Sequence, residues 1–148
     1  MAEVDRTLIG QWGPAGTLRV ESGKIREFAR AVKDRNPAFF VEDGALAPPT
    51  FLMTIAHWLG DLGATRSAVK LDYRRLLHGE QEFEYLRPIR AGDVLTFRSR
   101  TKDVFEKAGK RGGKMLFVIG ETEFKNQRGE VVAYMRNTAI QTEGAVQG

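Results

Sequence analysis

The spacing of apolar residues divides the chain into a helical first part and a β-rich second part. One set recurs at i, i+3, i+4 and i+7: Ile25, Phe28, Ala29 and Val32. This period is typical of one face of an α-helix, so a first helix is predicted over 23–33 with Ser22 as its N-cap. Because a proline disfavours helical backbone in the residue before it, Pro37 predicts a loop at about 34–37.

A second helix is predicted after Pro48-Pro49, with Thr50 as its cap and an end at about 62–63. Its apolar residues cover a wide face: Phe51, Leu52, Ile55, Trp58, Leu59 and Leu62. A helix that is apolar around most of its circumference is buried. It therefore needs a surface that encloses it.

From residue 80 onward the apolar period changes to two, as in Phe83 and Tyr85 alternating with Glu82 and Glu84. Such alternation predicts half-buried β-strands. Four strands are predicted, at 81–85, 94–101, 115–124 and 130–141. A further short strand is possible at 17–20. The tetrad Asn126-Gln127-Arg128-Gly129 predicts a hairpin between the last two. We expect these four strands to form an antiparallel meander.

Helices followed by antiparallel strands predict an α+β fold, and residues 1–148 contain no linker that would divide them. One curved antiparallel sheet wrapped around a long central helix would bury the second helix, which is the hot-dog arrangement. The first strand of the meander would keep an open edge. Dimerisation is the expected way to cover it.

Composition narrows the classes of function. The 148 residues include no cysteine and two histidines, which argues against disulfides, a cysteine nucleophile and a metal site. No cofactor is expected. Net charge is +4, but most basic residues alternate with acidic ones, so nucleic acid is not an expected partner. No apolar run approaches the ~20 residues of a membrane span. We therefore expect a cytoplasmic protein without a membrane partner.

Several stretches together resemble a known family. They are Lys24–Ala29, Asp34–Phe40, Leu46–Phe51, Leu77–Tyr85 and Arg87–Asp93. In their order and spacing over about residues 18–142, the chain resembles MaoC-like dehydratases, most closely the branch of FAS1-like dehydratase or MaoC N-terminal domains.

The resemblance implies a concrete chemistry. Such proteins add water to, or remove it from, an acyl thioester of coenzyme A or acyl carrier protein, usually through a (3R)-hydroxyacyl group. Active members carry Asp-x-Asn-Pro-x-His after the first helix, where Asp and His share acid/base work around one water. Asp34, Asn36 and Pro37 match this motif. Backbone N–H groups at the start of the central helix polarise the thioester carbonyl, which implies a substrate-binding role for Pro49, Thr50 and Phe51.

The chain departs from the family at the residue on which that chemistry depends. Phe39 stands at the histidine position, and a phenyl ring carries no proton to transfer. One explanation is a hydratase/dehydratase-type subunit in a heterodimer, whose MaoC-like partner supplies the Asp–His pair. The other is a homodimer that acts alone with a relocated acid/base, or a non-catalytic acyl-thioester-binding or structural subunit. We favour the first.

Two histidines are candidates for a relocated acid/base. His78 lies in the Leu-His-Gly-Glu-Gln stretch at the entry to a strand, where a bond to a nearby backbone group is the alternative. His57 lies four residues before Asp61 and would be its neighbour on a helix, although a surface or interface pair is the more ordinary interpretation. Asp34 and Asn36 are equally compatible with simple caps of the turn.

The basic loop over 107–114 is a candidate for carrier recognition. Lys110 and Arg111 lie among its glycines and could contact the phosphates of coenzyme A or the acidic face of a carrier protein. A mobile hairpin tip is the alternative. A hot-dog thioesterase is a weaker rival, because it would need a carboxylate on the central helix and Asp61 lies near the predicted end.

Overall fold

The computed structural model describes residues 2–58, 67–109 and 113–144. The regular elements are strand β1 (Gly16–Arg19), helix α1 (Ser22–Ala31), the short helix α2 (Ile55–Trp58) and strands β2 (Leu76–Tyr85), β3 (Val94–Ala108), β4 (Lys114–Lys125) and β5 (Val131–Thr142). Four 3-10 turns accompany them: Arg6–Leu8, Pro37–Phe39, Phe51–Thr54 and Tyr73–Arg75. The α+β prediction is confirmed.

The five strands form one antiparallel sheet in the order β1-β3-β4-β5-β2. The predicted hairpin joins β4 to β5, where Asn126 N donates to Glu130 O and Gly129 N donates to Asn126 O. Gly129 has a φ of 77°, which favours glycine because an L side chain is strained there. The predicted strands are found, although β2 and β3 are longer than expected.

The predicted meander is wrong for one strand. β2 pairs with β5 at the far edge of the sheet and not with β3, its successor in the chain. The connection after β2 is not a tight hairpin, because it is held against the segment before the second helix: Ala47 N donates to Ile89 O, and Ala91 N donates to Ala45 O. β2 is still an edge strand of the sheet, as expected.

Both predicted helices exist, with different bounds. α1 begins one residue early, so Ser22 lies inside the helix and Glu21 occupies the cap without a capping side-chain bond. The second helix begins as the 3-10 turn Phe51–Thr54 and continues as α2. Its predicted remainder, 59–63, lies outside the described residues. No helix in the described ranges has the length and apolar character to cross a bilayer.

The core lies on the inner face of the sheet, which we define as the face that meets the helices. α1 and two of the 3-10 turns, Pro37–Phe39 and Phe51–Thr54, pack on β3, β4 and β5 in one cluster, which includes Ile25, Phe39, Phe51, Phe97, Phe124 and Ala133. A smaller cluster at the other end of the sheet includes Val69, Val104, Leu116 and Val118. The first cluster positions the loop after α1 and the start of the second helix.

Candidate functional site

The loop after α1, which we call the motif loop (34–40), is placed by the way that helix ends. Lys33 adopts a left-handed φ of 59°. Lys33 N donates to Arg30 O, and Asp34 N donates to Ala29 O at 2.9 Å. These paired bonds are the Schellman motif, which reverses the chain at a helix C-terminus. The motif loop therefore turns back towards the sheet.

Asp34 and Asn36 hold the motif loop in its turn. The Asp34 carboxylate accepts a hydrogen bond from Asn36 N at 3.0 Å, and Asn36 Oδ1 accepts one from Ala38 N at 3.1 Å. Asn36 thereby caps the 3-10 turn Pro37–Phe39. Both side chains have the local backbone bonds that their residue types favour in turns. Contact with a substrate stays a prediction.

Phe39 is part of the core. Its side chain is 4 % exposed and belongs to the same cluster as Phe51 and Phe124. The position at which active relatives would carry an imidazole is therefore filled by an apolar ring that contributes to packing. The motif loop contains no histidine, so it lacks the acid/base pair of the family motif.

The start of the second helix lies beside the motif loop. Leu46 N donates to Ala38 O at 2.9 Å, which joins the two segments directly. Phe51 is fully buried, and its ring meets that of Phe28 edge-on with a centroid distance of 5.8 Å. Pro49 and Thr50 are exposed. Of the predicted binding residues, Pro49 and Thr50 thus form an exposed edge. Phe51 forms a fixed apolar base below them.

Tyr85 is the residue that the sequence analysis missed. Its hydroxyl donates to the carbonyl oxygen of Pro49 at 2.5 Å, across 36 residues of chain. Burial raises the pKa of Tyr85 to about 12, so the phenol stays protonated and able to donate. The sequence showed only an aromatic residue in an alternating strand. Its polar tip, and its place at the end of the resembling stretch Leu77–Tyr85, were the available signals.

The structure does not bring His78 to the motif loop. His78 is exposed on β2, opposite Ala139, and precedes a bulge at Gly79. Phe83, which packs on the core cluster of Phe39, lies five positions further along the same strand. That spacing corresponds to roughly 15 Å. In the described part of the chain, no hydrogen bond joins Asp34 to either histidine.

His57 and the basic loop remain untested as functional elements. His57 is exposed on α2, whereas Asp61, its predicted neighbour, lies outside the described residues. Lys110 and Arg111 also lie outside them, so their contact with a carrier stays a prediction. Of the charges that flank them, Lys114 Nζ lies 3.7 Å from Glu106, and Lys107 Nζ lies 5.2 Å from the centre of the Phe105 ring.

A polar cavity opens on the inner face. Its volume is about 240 Å³, and its wall combines the apolar Leu71 and Val118 with five hydroxyl or amide side chains: Ser67, Ser99, Thr101, Thr122 and Asn137. Ser99 and Thr122 share a hydrogen bond of 2.7 Å across β3 and β4. Ala139, the strand partner of His78, is also in the wall. His78 is therefore closer to this cavity than to the apolar base under Thr50.

The carboxyl with the most strongly lowered pKa on the sheet lies on the outer face, opposite the core. Glu121 is 3 % exposed and contacts three cations: Arg100 at 2.6 Å, Arg136 at 2.7 Å and Lys102 at 3.2 Å. Burial acts to raise its pKa, but the hydrogen bonds from these cations prevail and hold the pKa at about 2. A carboxylate so fully paired is poorly suited to proton transfer.

The outer-face charges follow the strand register. Arg100, Glu121, Arg136 and Glu82 face one another in one row across β3, β4, β5 and β2, and Trp12 lies over Arg98 and Arg100 at 4.3 and 4.2 Å. Alternating charges in a cross-strand row stabilise a sheet. Within the described ranges, no group of three His, Asp or Glu residues is arranged to hold a metal ion.

Comparison with known proteins identifies similar chains. Residues 7–135 match the model of the FAS1-like, dehydratase domain region. A UPF0336 protein of Streptomyces coelicolor is 34 % identical over 96 % of this chain and 99 % of its own length.

Two solved structures share the architecture. The C-terminally truncated HadBC (3R-hydroxyacyl-ACP dehydratase) complex from Mycobacterium tuberculosis matches with a TM-score of 0.73 and 26 % identity, over 93 % of this chain and 99 % of that one. A MaoC-like dehydratase matches with a TM-score of 0.70 and 24 % identity, over 90 % of this chain and 42 % of that one.

Proposed function

The chain belongs to the FAS1-like dehydratase family of MaoC-like, hot-dog proteins, and from this premise we propose that it is an (R)-specific enoyl-/3-hydroxyacyl-thioester hydratase/dehydratase-type subunit. Its substrate would be an acyl thioester of coenzyme A or acyl carrier protein. The reaction adds water across the C2–C3 double bond, with hydroxyl at C3 and a proton at C2, or runs in reverse.

The burial of Phe39 carries the proposal that this chain works as one subunit of a pair. Proton transfer at C2 and at the departing hydroxyl needs a titratable group beside the substrate. The motif loop instead places a phenyl ring in the core, and His78 lies at the other end of β2. A partner with an intact Asp-x-Asn-Pro-x-His sequence would supply the missing pair. The similarity to the HadBC complex supports a paired assembly.

This chain would contribute the surface that receives the acyl thioester. The exposed edge at Pro49 and Thr50 offers a backbone N–H to a thioester carbonyl, and the apolar base at Phe51 lies directly below it. Asp34 and Asn36 would fix the motif loop that supports this edge. The open edge of β2 is the proposed contact with the partner.

Hydration of crotonyl-CoA by the pure chain and by the paired complex tests this proposal. We expect little or no turnover from the pure chain and a rise of at least about 100-fold after it is combined with a MaoC-type subunit, since acid/base catalysis is worth about that much or more. Turnover is followed by loss of the absorbance of the conjugated thioester. The matched control is the same partner with the histidine of its motif replaced by alanine.

Two outcomes would contradict the proposal in different ways. Robust turnover by the pure homodimer would remove the need for a partner and direct attention to His78. Binding of acyl-CoA without turnover in any pairing would favour the non-catalytic, acyl-thioester-binding subunit.

A further inference from the structure

We infer that Tyr85 is a positioning residue that clamps the Pro49–Thr50 peptide group and aims the Thr50 N–H at the thioester carbonyl, an inference that rests on the proposed function. Nothing in the family motif points to this tyrosine. The argument depends on one hydrogen bond and on the geometry of one peptide unit.

The clamp acts on the same amide that presents the donor. The carbonyl of Pro49 and the N–H of Thr50 belong to one planar trans peptide, in which the two groups point in opposite directions. The Tyr85 hydroxyl donates to the carbonyl oxygen, so the direction of the N–H on the other side is fixed. Since hydrogen bonds along a chain polarise one another, a bond at the oxygen also makes the N–H a better donor.

The Thr50 N–H is available to a ligand. The next N–H along the chain is already engaged, because Phe51 N donates to Pro48 O, and the carbonyl of Thr50 accepts from Met53 N. Over residues 2–58, 67–109 and 113–144, no acceptor is paired with Thr50 N. Thr50 is exposed, whereas Pro48 and Phe51 on either side of the Pro49–Thr50 pair are buried. A fixed donor thus stands at an open edge above an apolar base.

The position of Tyr85 suits a clamp better than a core contact. It lies at the last residue of β2 and is 36 % exposed, so its ring buries less surface than the core phenylalanines do. Preorganised donors accelerate acyl chemistry because they need no reorganisation when charge develops on the oxygen. Loss of the clamp would therefore weaken a transition-state contact more than it weakens substrate binding.

Tyr85→Phe tests the inference, since it removes the hydroxyl and keeps the ring. The matched control is Tyr73→Phe, at a tyrosine that is 86 % exposed. In the paired complex we expect kcat to fall about tenfold with KM nearly unchanged, less than the loss of a whole oxyanion donor. In the free chain, the amide resonance of Thr50 should move upfield. A bound thioester labelled with 13C at its carbonyl should show an infrared band closer to that of the free thioester.

The outcomes separate this inference from the proposed function. If the wild-type paired complex is inactive, the proposed function fails, and the Thr50 amide in the free chain still decides whether the clamp exists. An unchanged Thr50 amide in the Tyr85→Phe variant would overturn the inference. A rise in KM as large as the fall in kcat, together with a lower melting temperature, would also overturn it, because these changes would indicate a structural role alone.

Discussion

The two faces of the sheet differ in their side chains: paired charges cover the outer face, and apolar rings cover much of the inner face. On the outer face, four strands contribute a row of charges in register, and Glu121 is buried among three cations. On the inner face, the motif loop and the start of the second helix rest on phenylalanine rings. The described polar groups at this candidate site include backbone amides, two turn-forming side chains and the hydroxyls of Thr50 and Tyr85.

This difference shows that the shifted pKa of Glu121 belongs to the structure of the sheet and not to the candidate site. A strongly shifted pKa is often a sign of a functional site. Here the shift of Glu121 arises from ion pairs that join β3, β4 and β5, whereas the described residues of the candidate site include no Asp–His pair. That distribution agrees with the proposed function, in which a partner chain would supply the acid/base pair.

The largest expected effect follows from placing a titratable group on the inner face. Phe39→His completes the family motif, but it should lower the free energy of unfolding by about 4 kcal/mol, since a buried phenyl is lost and an imidazole is buried without a partner. We expect no turnover by the pure variant, because position 39 is 4 % exposed and its side chain lies in the core, away from a substrate at the surface. Urea unfolding and crotonyl-CoA hydration measure the two effects.

Phe39→Leu is the matched control, and it should cost less than about 1.5 kcal/mol because the site stays apolar. Hydration of crotonyl-CoA by the pure Phe39→His protein would show that the motif loop needs only an imidazole.

The next effect removes the central charge of the outer face. Glu121→Gln should lower the free energy of unfolding by about 2 kcal/mol, because the partly exposed Arg100, Lys102 and Arg136 lose the buried charge that joins them. Turnover of the paired complex should not change at temperatures where the variant is folded. Glu106→Gln, which breaks the exposed pair with Lys114, should cost less than about 1 kcal/mol.

The loss of stability in acid also tests the role of Glu121 and its ion pairs. The pKa of Glu121 falls from an ordinary value of 4.5 to about 2 in the folded chain. Its stabilisation is therefore present above pH 4.5 and lost as pH falls towards 2. The Glu121→Gln variant should show a shallower loss of stability over that range. An equal slope in both proteins would mean that other carboxylates account for acid unfolding.

The smallest effect concerns the turn of the motif loop. Asn36→Ala removes the acceptor of the Ala38 N–H and should cost about 1 kcal/mol, as the loss of a capping side chain does. Asn36→Asp keeps an acceptor oxygen and should retain stability in thermal unfolding. If Asn36→Asp stays stable but abolishes turnover of the paired complex, Asn36 contacts the substrate and its role is more than that of a cap.

Local pattern was sufficient for much of the fold and for the central problem of the site. The alternation around Phe83 placed β2, and the spacing of Ile25 and Ala29 placed α1, although Val32 lies beyond its end and is exposed. Residue identity alone showed that position 39 cannot transfer a proton. These features depend on neighbours within a few residues, where the period of side chains decides which face is apolar. The family resemblance was carried by the same short stretches and is confirmed.

Tertiary structure decided the rest. Alternation in β2 contained no information on which strand would be its partner, so β5 replaced the expected β3. The hydrogen bond from Tyr85 to Pro49 joins residues 36 positions apart, and the distance of His78 from the motif loop depends on how β2 crosses the sheet. Sequence by itself determined which groups could do chemistry. Only the packing of distant segments determined which of those groups meet, because such contacts depend on the whole chain and not on local period.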